Sequence, residues 1–237
     1  MKEIRPRLSE EEWSIIQRHR KPEGVLVIPD LHAPFLKPGF LDHCLKTKRK
    51  YNTKKVIFIG DIVDNHYSSY HETDPDGHSA GEELARAIEM IREWYYHFPK
   101  AKVCIGNHDS IPARKAMTAG LSKRWLKSIA DVIETPGWDF QMQHIIDDVK
   151  YIHGTGQKAR SRAKNDLISI VQGHYHSESY IEWYVGPDRK IFAMQLGAGI
   201  DRRAYAMAYG RIFKKPHINC GIIIDGELPI IEYMRLT

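Results

Sequence analysis

The chain has 237 residues, 42% hydrophobic and 27% charged, with a formal net charge of +5. That balance excludes long disorder, and no apolar run approaches the roughly 20 residues of a membrane-spanning helix, so no membrane partner is expected. Cys44, Cys104 and Cys220 are odd in number and scattered, which argues against a disulfide framework or a paired-cysteine zinc site and for a reducing, cytoplasmic compartment.

The segment Met1 to Trp13 is charged and lacks an apolar h-region, so no secretory leader is expected. Within it, Ser9-Glu10-Glu11-Glu12 ahead of Trp13, Ile15 and Ile16 is a capping-box pattern. It predicts a helical extension over residues 1–23, closed by Pro22 and Gly24. Val25 to Ile28 is uninterrupted and β-branched, the signature of a fully buried strand. A helix from Gly39 to about Lys50 follows, then a second buried strand, Lys55 to Ile59. Ala80 to Phe98 is the clearest helix, with Leu84, Ala87, Ile88, Ile91 and Tyr95 at three-to-four spacing and Pro99 as its stop. A third strand is predicted over Lys102 to Ile105. Strand and helix alternation of this kind predicts parallel pairing. The second half is strand-rich: Val149 to His153, Leu167 to Gln172, Tyr180 to Tyr184, Lys190 to Leu196, and Asn219 to Tyr233 with a turn at Asp225-Gly226. With no repeat or linker, residues 1–237 are expected to form one layered α/β domain.

Strand after strand ends in potential metal ligands. The first runs into Asp30-Leu31-His32, the second into Gly60-Asp61-Ile62-Val63-Asp64, and the third into Gly106-Asn107-His108-Asp109. Two later strands run into His153-Gly154 and Gly173-His174-Tyr175-His176. Ligands of open α/β sheets gather at the carboxyl ends of strands, so these clusters are expected to converge. Oxygen and imidazole donors without thiolate suit manganese, iron, zinc or a similar divalent ion.

In this order, the blocks resemble the signature motifs of the calcineurin-like metallophosphoesterase family: D-x-H, G-D-x-x-D, G-N-H-D/E, a strand-end H, and G-H-x-H. The resemblance covers residues 24 to 177 and implies a four-layer αββα sandwich. It also implies two divalent metal ions, manganese first, with iron, zinc or nickel as alternatives. One ion would be bound by Asp30, His32 and His176, the other by Asn107, His153 and His174, with Asp61 bridging. His108 matches the catalytic histidine, and Asp64 the acid that hydrogen-bonds and orients it. Two such ions, roughly 3.5–4 Å apart, would supply a bridging hydroxide at neutral pH.

The expected activity is phosphate-ester hydrolysis, as a phosphodiesterase or nuclease on nucleotide or nucleic-acid substrates. A phosphomonoesterase for small metabolites or nucleotides is the alternative, and a non-catalytic scaffold ranks behind both. Asn65 stands where protein phosphatases of the family carry arginine, which argues against that branch. Lys46, Lys48, Arg49, Lys50, Lys54 and Lys55 precede the second strand and are expected on a solvated face away from the site. Lys158, Arg160, Arg162 and Lys164, together with Arg202 and Arg203, are the better candidates for phosphate contact. Tyr67, Tyr70, Tyr205 and Tyr209 are candidates for base stacking, with core or rim packing an equal alternative. His66, His71 and His78, in the loop after Asp64 on the active face, are expected as solvated loop residues, with substrate contact as the alternative, and Asp109 as a structural residue that bonds neighbouring loop backbone. His19, His43, His97, His144 and His217 are expected to be structural. Residues 110–143, the longest interval without a motif, are expected from position alone to form a helical lid.

Overall fold

The computed structural model describes residues 9, 23–69, 77–204 and 215–235. The N-terminal helix expected up to residue 23, as well as His71, Tyr70, Tyr205 and Tyr209, lies outside these residues.

Two mixed sheets stack face to face. In the first, β1 (Gly24–Ile28), β2 (Lys55–Phe58), β3 (Ala101–Cys104) and β4 (Trp138–Gln141) pair in parallel. The antiparallel hairpin β10 (Asn219–Ile224) and β11 (Leu228–Tyr233) extends this sheet beyond β1. In the second, β6 (Val149–Ile152), β7 (Ser169–Gln172) and β9 (Lys190–Gln195) run in parallel. Its antiparallel edges are β5 (Gln143–Ile146) and β8 (Tyr180–Val185). Helices α1 (Phe40–Lys50) and α2 (Ala80–His97) flank the first sheet, and α5 (Ala159–Asp166) flanks the second. A shorter set joins β3 to β4: α3 (Ile111–Thr118), a 3-10 turn (Lys123–Trp125) and α4 (Ile129–Val132).

The period of two along each strand builds the layers. Leu26, Ile28, Val56 and Phe58 point to Phe40, Cys44, Ala87, Ile91 and Trp94 on the helices. Their neighbours Val25, Val27, Ile57 and Ile59 face Tyr151, Val171, Phe192 and Met194 of the other sheet. On the far side, Ala159 and Ala163 of α5 lie on Ile170 and Ala193. Helix, sheet, sheet and helix are thus joined by three separate apolar interfaces. Ser79 starts α2 with the reciprocal bonds of a capping box to Glu82. Asp225 and Gly226 both take positive φ in the β10–β11 turn, the geometry that a tight hairpin needs.

Within 110–143 the helical turns end at Val132, and Trp138–Gln141 forms strand β4. Only Met142 separates β4 from β5, so the chain crosses here from the edge of one sheet to the edge of the other. None of the helices among the described residues is long and apolar enough to cross a membrane.

Candidate metal centre

Parallel pairing sends β1, β2 and β3 toward one rim, and β6 and β7 deliver their ends alongside it. The loops that follow these strands meet there. His153 Nε2 lies 2.8 Å from Asn107 Oδ1, and His174 Nδ1 lies 3.3 Å from His153 Nε2. On the other side His32 Nε2 stands 3.2 Å from His176 Nε2, which is 3.0 Å from Asp30 Oδ2. Asp61 stands between the groups, its Oδ2 lying 3.5 Å from His32 Nε2 and 3.2 Å from His153 Nε2. The seven expected ligand residues therefore come together, in two groups with the Asp61 carboxylate between them.

The backbone is bent hard to achieve this. His32, Asp61 and His174 sit at φ of 51°, 46° and 69°, a left-handed region costly for residues with a Cβ. Hydrogen bonds hold them there: His32 N donates to Asp61 O at 2.8 Å, and His174 N to Asp30 Oδ2 at 2.9 Å. Two glycines are required by close approach. A Cβ on Gly106 would fall 1.9 Å from Asp61 Oδ1, and one on Gly173 would fall 2.2 Å from Asp30 Oδ1.

Each set fits a cation. Asp30 Oδ1 is buried without a hydrogen-bond partner, a costly state for a carboxylate oxygen. His32 Nδ1 donates to Asp64 Oδ1 at 2.5 Å, and His153 Nδ1 donates to Ile59 O at 3.0 Å. Such bonds fix the tautomer and turn Nε2 of both rings inward, as an atom that could bind a metal. The electrostatics agree. Burial alone would raise the Asp61 carboxyl, but the His153 and His108 imidazoles outweigh it and hold it far below the usual range. Burial would likewise lower His153, yet Asp61 and Asp30 push it up to about 10. Two depressed, buried carboxylates facing imidazole nitrogens form a pocket that favours positive charge.

His108 stands at the mouth. Its backbone N–H donates to Asp61 Oδ1 at 2.8 Å, and its Nδ1 donates to the main-chain carbonyl of Asp64 at 2.5 Å. Burial pulls its pKa down, but the Asp61 and Asp64 carboxylates more than compensate and leave it raised. The Asp64 carboxylate is hydrogen-bonded to His32 and also lies within ion-pair distance of His108 Nδ1, at 3.6 Å. Asp64 thus reaches His108 through both its backbone carbonyl and its carboxylate, and the same carboxylate holds His32.

Three neighbours brace the loops. Asp109 accepts from Ile62 N and Val63 N through Oδ1 and from Gly106 N through Oδ2, tying the second and third loops together. Its carboxyl is raised to about 6, by burial first and then by Asp61. Asn65 donates to His108 O at 3.0 Å. Glu83 of α2 accepts from His66 N at 2.7 Å and Tyr67 N at 3.0 Å, a role the sequence did not suggest. His66 itself is buried rather than solvated.

A calcineurin-like phosphoesterase family model matches residues 24–200. The chain belongs to that family. Membership and the donor sets make it a metal-dependent hydrolase of phosphate esters. No curated protein matches the sequence significantly. Among solved structures, Vacuolar Protein Sorting 29 from Cryptosporidium parvum is similar over 90% of this chain and 92% of that chain, at 11% identity and a TM-score of 0.48. Pseudomonas putida nuclease MPE is similar over 87% of each chain, at 11% identity and a TM-score of 0.43. The phosphoesterase Yfce from E. coli is similar over 84% of this chain and 87% of that chain, at 12% identity and a TM-score of 0.36.

The cationic groups separate clearly. Lys50 pairs with Glu232, and Lys55 with Asp147 and Glu23, away from the centre. Lys158 pairs with Glu178, and Arg160 lies over the Tyr180 ring at 4.2 Å and beside Glu182. Lys164 lies over Tyr184, and Arg162 donates to Gln172 Oε1 and Thr155 O. These contacts clamp α5 and its flanks to the second sheet. By contrast, Arg202 and Arg203 follow the stretch beyond β9 in which Ala198 bridges to Asp30. With Lys37 and Lys215 they line a cavity of about 460 Å³, and none of the four has an ion pair among the described residues.

Proposed function

We propose that the chain is a dinuclear phosphodiesterase acting on nucleotide or nucleic-acid substrates. One observation carries the reading: a single carboxylate, Asp61, placed between His32 and His153, each backed by a hydrogen bond that bares its inward nitrogen. Asp30, His32 and His176 would hold one ion, and Asn107, His153 and His174 the other, with Asp61 shared. When bound, two such ions activate water at neutral pH and neutralise phosphate oxygens in an in-line displacement. Manganese suits the carboxylate and carboxamide oxygens, with iron or zinc favoured by the imidazoles. The three buried, free cysteines are consistent with a cytoplasmic setting.

The protein's own groups supply the rest. His108, raised in pKa and partly open to solvent, is placed to hand a proton to the leaving oxygen, a role worth roughly 10²–10⁴ in rate. Its backbone bond to Asp61 and its ring bond to Asp64 O fix where that proton is delivered. A diester is favoured over a monoester dianion by the residue beside the site. Asn65 offers a neutral amide, already bonded to His108 O, where a guanidinium would grip a terminal phosphate. Lys37, Arg202, Arg203 and Lys215 extend positive charge outward past Asp30, the arrangement that suits a substrate with more than one phosphate.

A paired assay tests this: one chromogenic diester and the matching monoester, with Mn²⁺. Faster diester turnover, abolished by chelator and restored by metal, is the expected result. Turnover of the monoester alone would move the assignment to a phosphomonoesterase.

A further inference from the structure

The segment that leaves the catalytic loop carries an unusual charge. Between Ser110 and Ala130 stand Arg114, Lys115, Lys123, Arg124 and Lys127, with no Asp or Glu among them. Their charge of +5 equals the net charge of the whole chain, so the remainder is balanced and the excess is concentrated here. The segment starts at the site itself, where Ser110 Oγ donates to Gly106 O at 2.7 Å and Ile111 N to His108 O at 3.1 Å.

At its centre Trp125 is 83% exposed, an unusual state for the largest apolar side chain. The exposure is held by local structure. Ser122 Oγ accepts from Arg124 N, Ser122 O from Trp125 N and Lys123 O from Leu126 N, fixing a 3-10 turn. Leu126, next to it, lines a cavity of about 610 Å³ whose wall includes Asn65, Asp109 and Ser110 of the catalytic loops. Lys123 and Lys127 border the same cavity, and no ion pair among the described residues engages them or Arg124. An exposed aromatic ring on a fixed turn between unneutralised cations, two of which border a cavity that reaches the loops of the centre, matches what an unpaired nucleic-acid strand requires. Bases stack on the ring, and cations follow the phosphates.

We infer that residues 110–130 form a docking arm for single-stranded nucleic acid, with Trp125 as the stacking platform and Lys123, Arg124 and Lys127 as the phosphate contacts; the inference rests on the phosphodiester reading of the metal centre. Duplex is disfavoured because its bases are stacked on one another and leave no free face for Trp125.

Binding of a labelled oligothymidylate, measured by anisotropy in a His108→Ala background, tests docking without turnover. Trp125→Ala is expected to weaken binding about tenfold, and Trp125→Phe much less. Removing all three cations (Lys123→Ala, Arg124→Ala, Lys127→Ala) should flatten the slope of log affinity against log salt by roughly 2, at about 0.7 per contact for a single strand. Matched thermal melts show that the variants are folded. Unchanged affinity in Trp125→Ala overturns the inference, as does equally tight binding of a duplex of the same length. So does Trp125-dependent binding to phosphatidylserine vesicles, or Trp125-dependent self-association, without oligothymidylate binding. The two readings fail separately: wild-type protein that cleaves a small diester but does not bind the oligomer loses the arm and keeps the enzyme. Binding without any diester turnover does the reverse.

Discussion

The two donor sets are built from similar residues and held in different ways. On one side His32 is fully buried, and its outer nitrogen is gripped by the Asp64 carboxylate at 2.5 Å. On the other, His153 is anchored by a main-chain carbonyl, Ile59 O, at 3.0 Å, and the set includes Asn107, a neutral side chain. The first is therefore richer in charge and depends on a side chain that mutation can remove; the second depends on the strand itself. The lesson is that one rim can hold two ions of unequal affinity, with the stronger anionic support beside Asp30 and Asp64.

The largest break in that comparison should come from Asp61→Asn, which serves both sets. Metal retention is expected to fall by more than the roughly 10–100-fold that an outer partner costs, with turnover near background. Elemental analysis after gel filtration reads it, and an unchanged count of two would remove the shared role. Next, His108→Ala should lower turnover by about 10²–10⁴ while both ions stay bound, since this ring holds a proton rather than a metal. Loss of metal in parallel with turnover would contradict that division. Asp64→Ala should separate the sets, weakening one ion about 10–100-fold and sparing the other. Metal titration by calorimetry would then find the two sites closer in affinity than in wild type, whereas equal weakening of both would show that the sets are coupled through Asp64. The smallest and most local effect is expected from Gly173→Ala, whose Cβ would fall 2.2 Å from Asp30 Oδ1. It should perturb the Asp30 side alone and shift the metal dependence of turnover severalfold, with the melting temperature nearly unchanged in the metal-free protein.

Much of this was legible in the sequence because the pattern is local. Buried strands announce themselves as β-branched runs, and each is followed within two or three residues by its ligand, so the rim could be read from Val25–His32, Lys55–Asp64 and Lys102–Asp109 before any coordinates. What escaped depends on long-range geometry. Strands β4 and β5 are half-buried edges rich in polar residues, such as Asp139, Gln141 and Gln143, and their period of two is weak beside the apolar runs of the core. The bond of the Asp64 carboxylate to His32, beside its approach to His108, could not be read either, because it depends on which way the loop turns the carboxylate. Glu83 sits at a helical position that looks solvated, and only the fold brings the N–H groups of His66 and Tyr67 to it. The basic group on α5 was ambiguous for a similar reason: its acidic and aromatic partners, Glu178, Tyr180 and Glu182, lie on and just before another strand.

The anomalous difference map of a crystal grown with Mn²⁺ is the most direct test. Two peaks should stand at the rim, one among Asp30, His32 and His176, the other among Asn107, His153 and His174, with the Asp61 carboxylate reaching both. A single peak, or a pair that leaves Asp61 uncoordinated, would contradict the dinuclear centre.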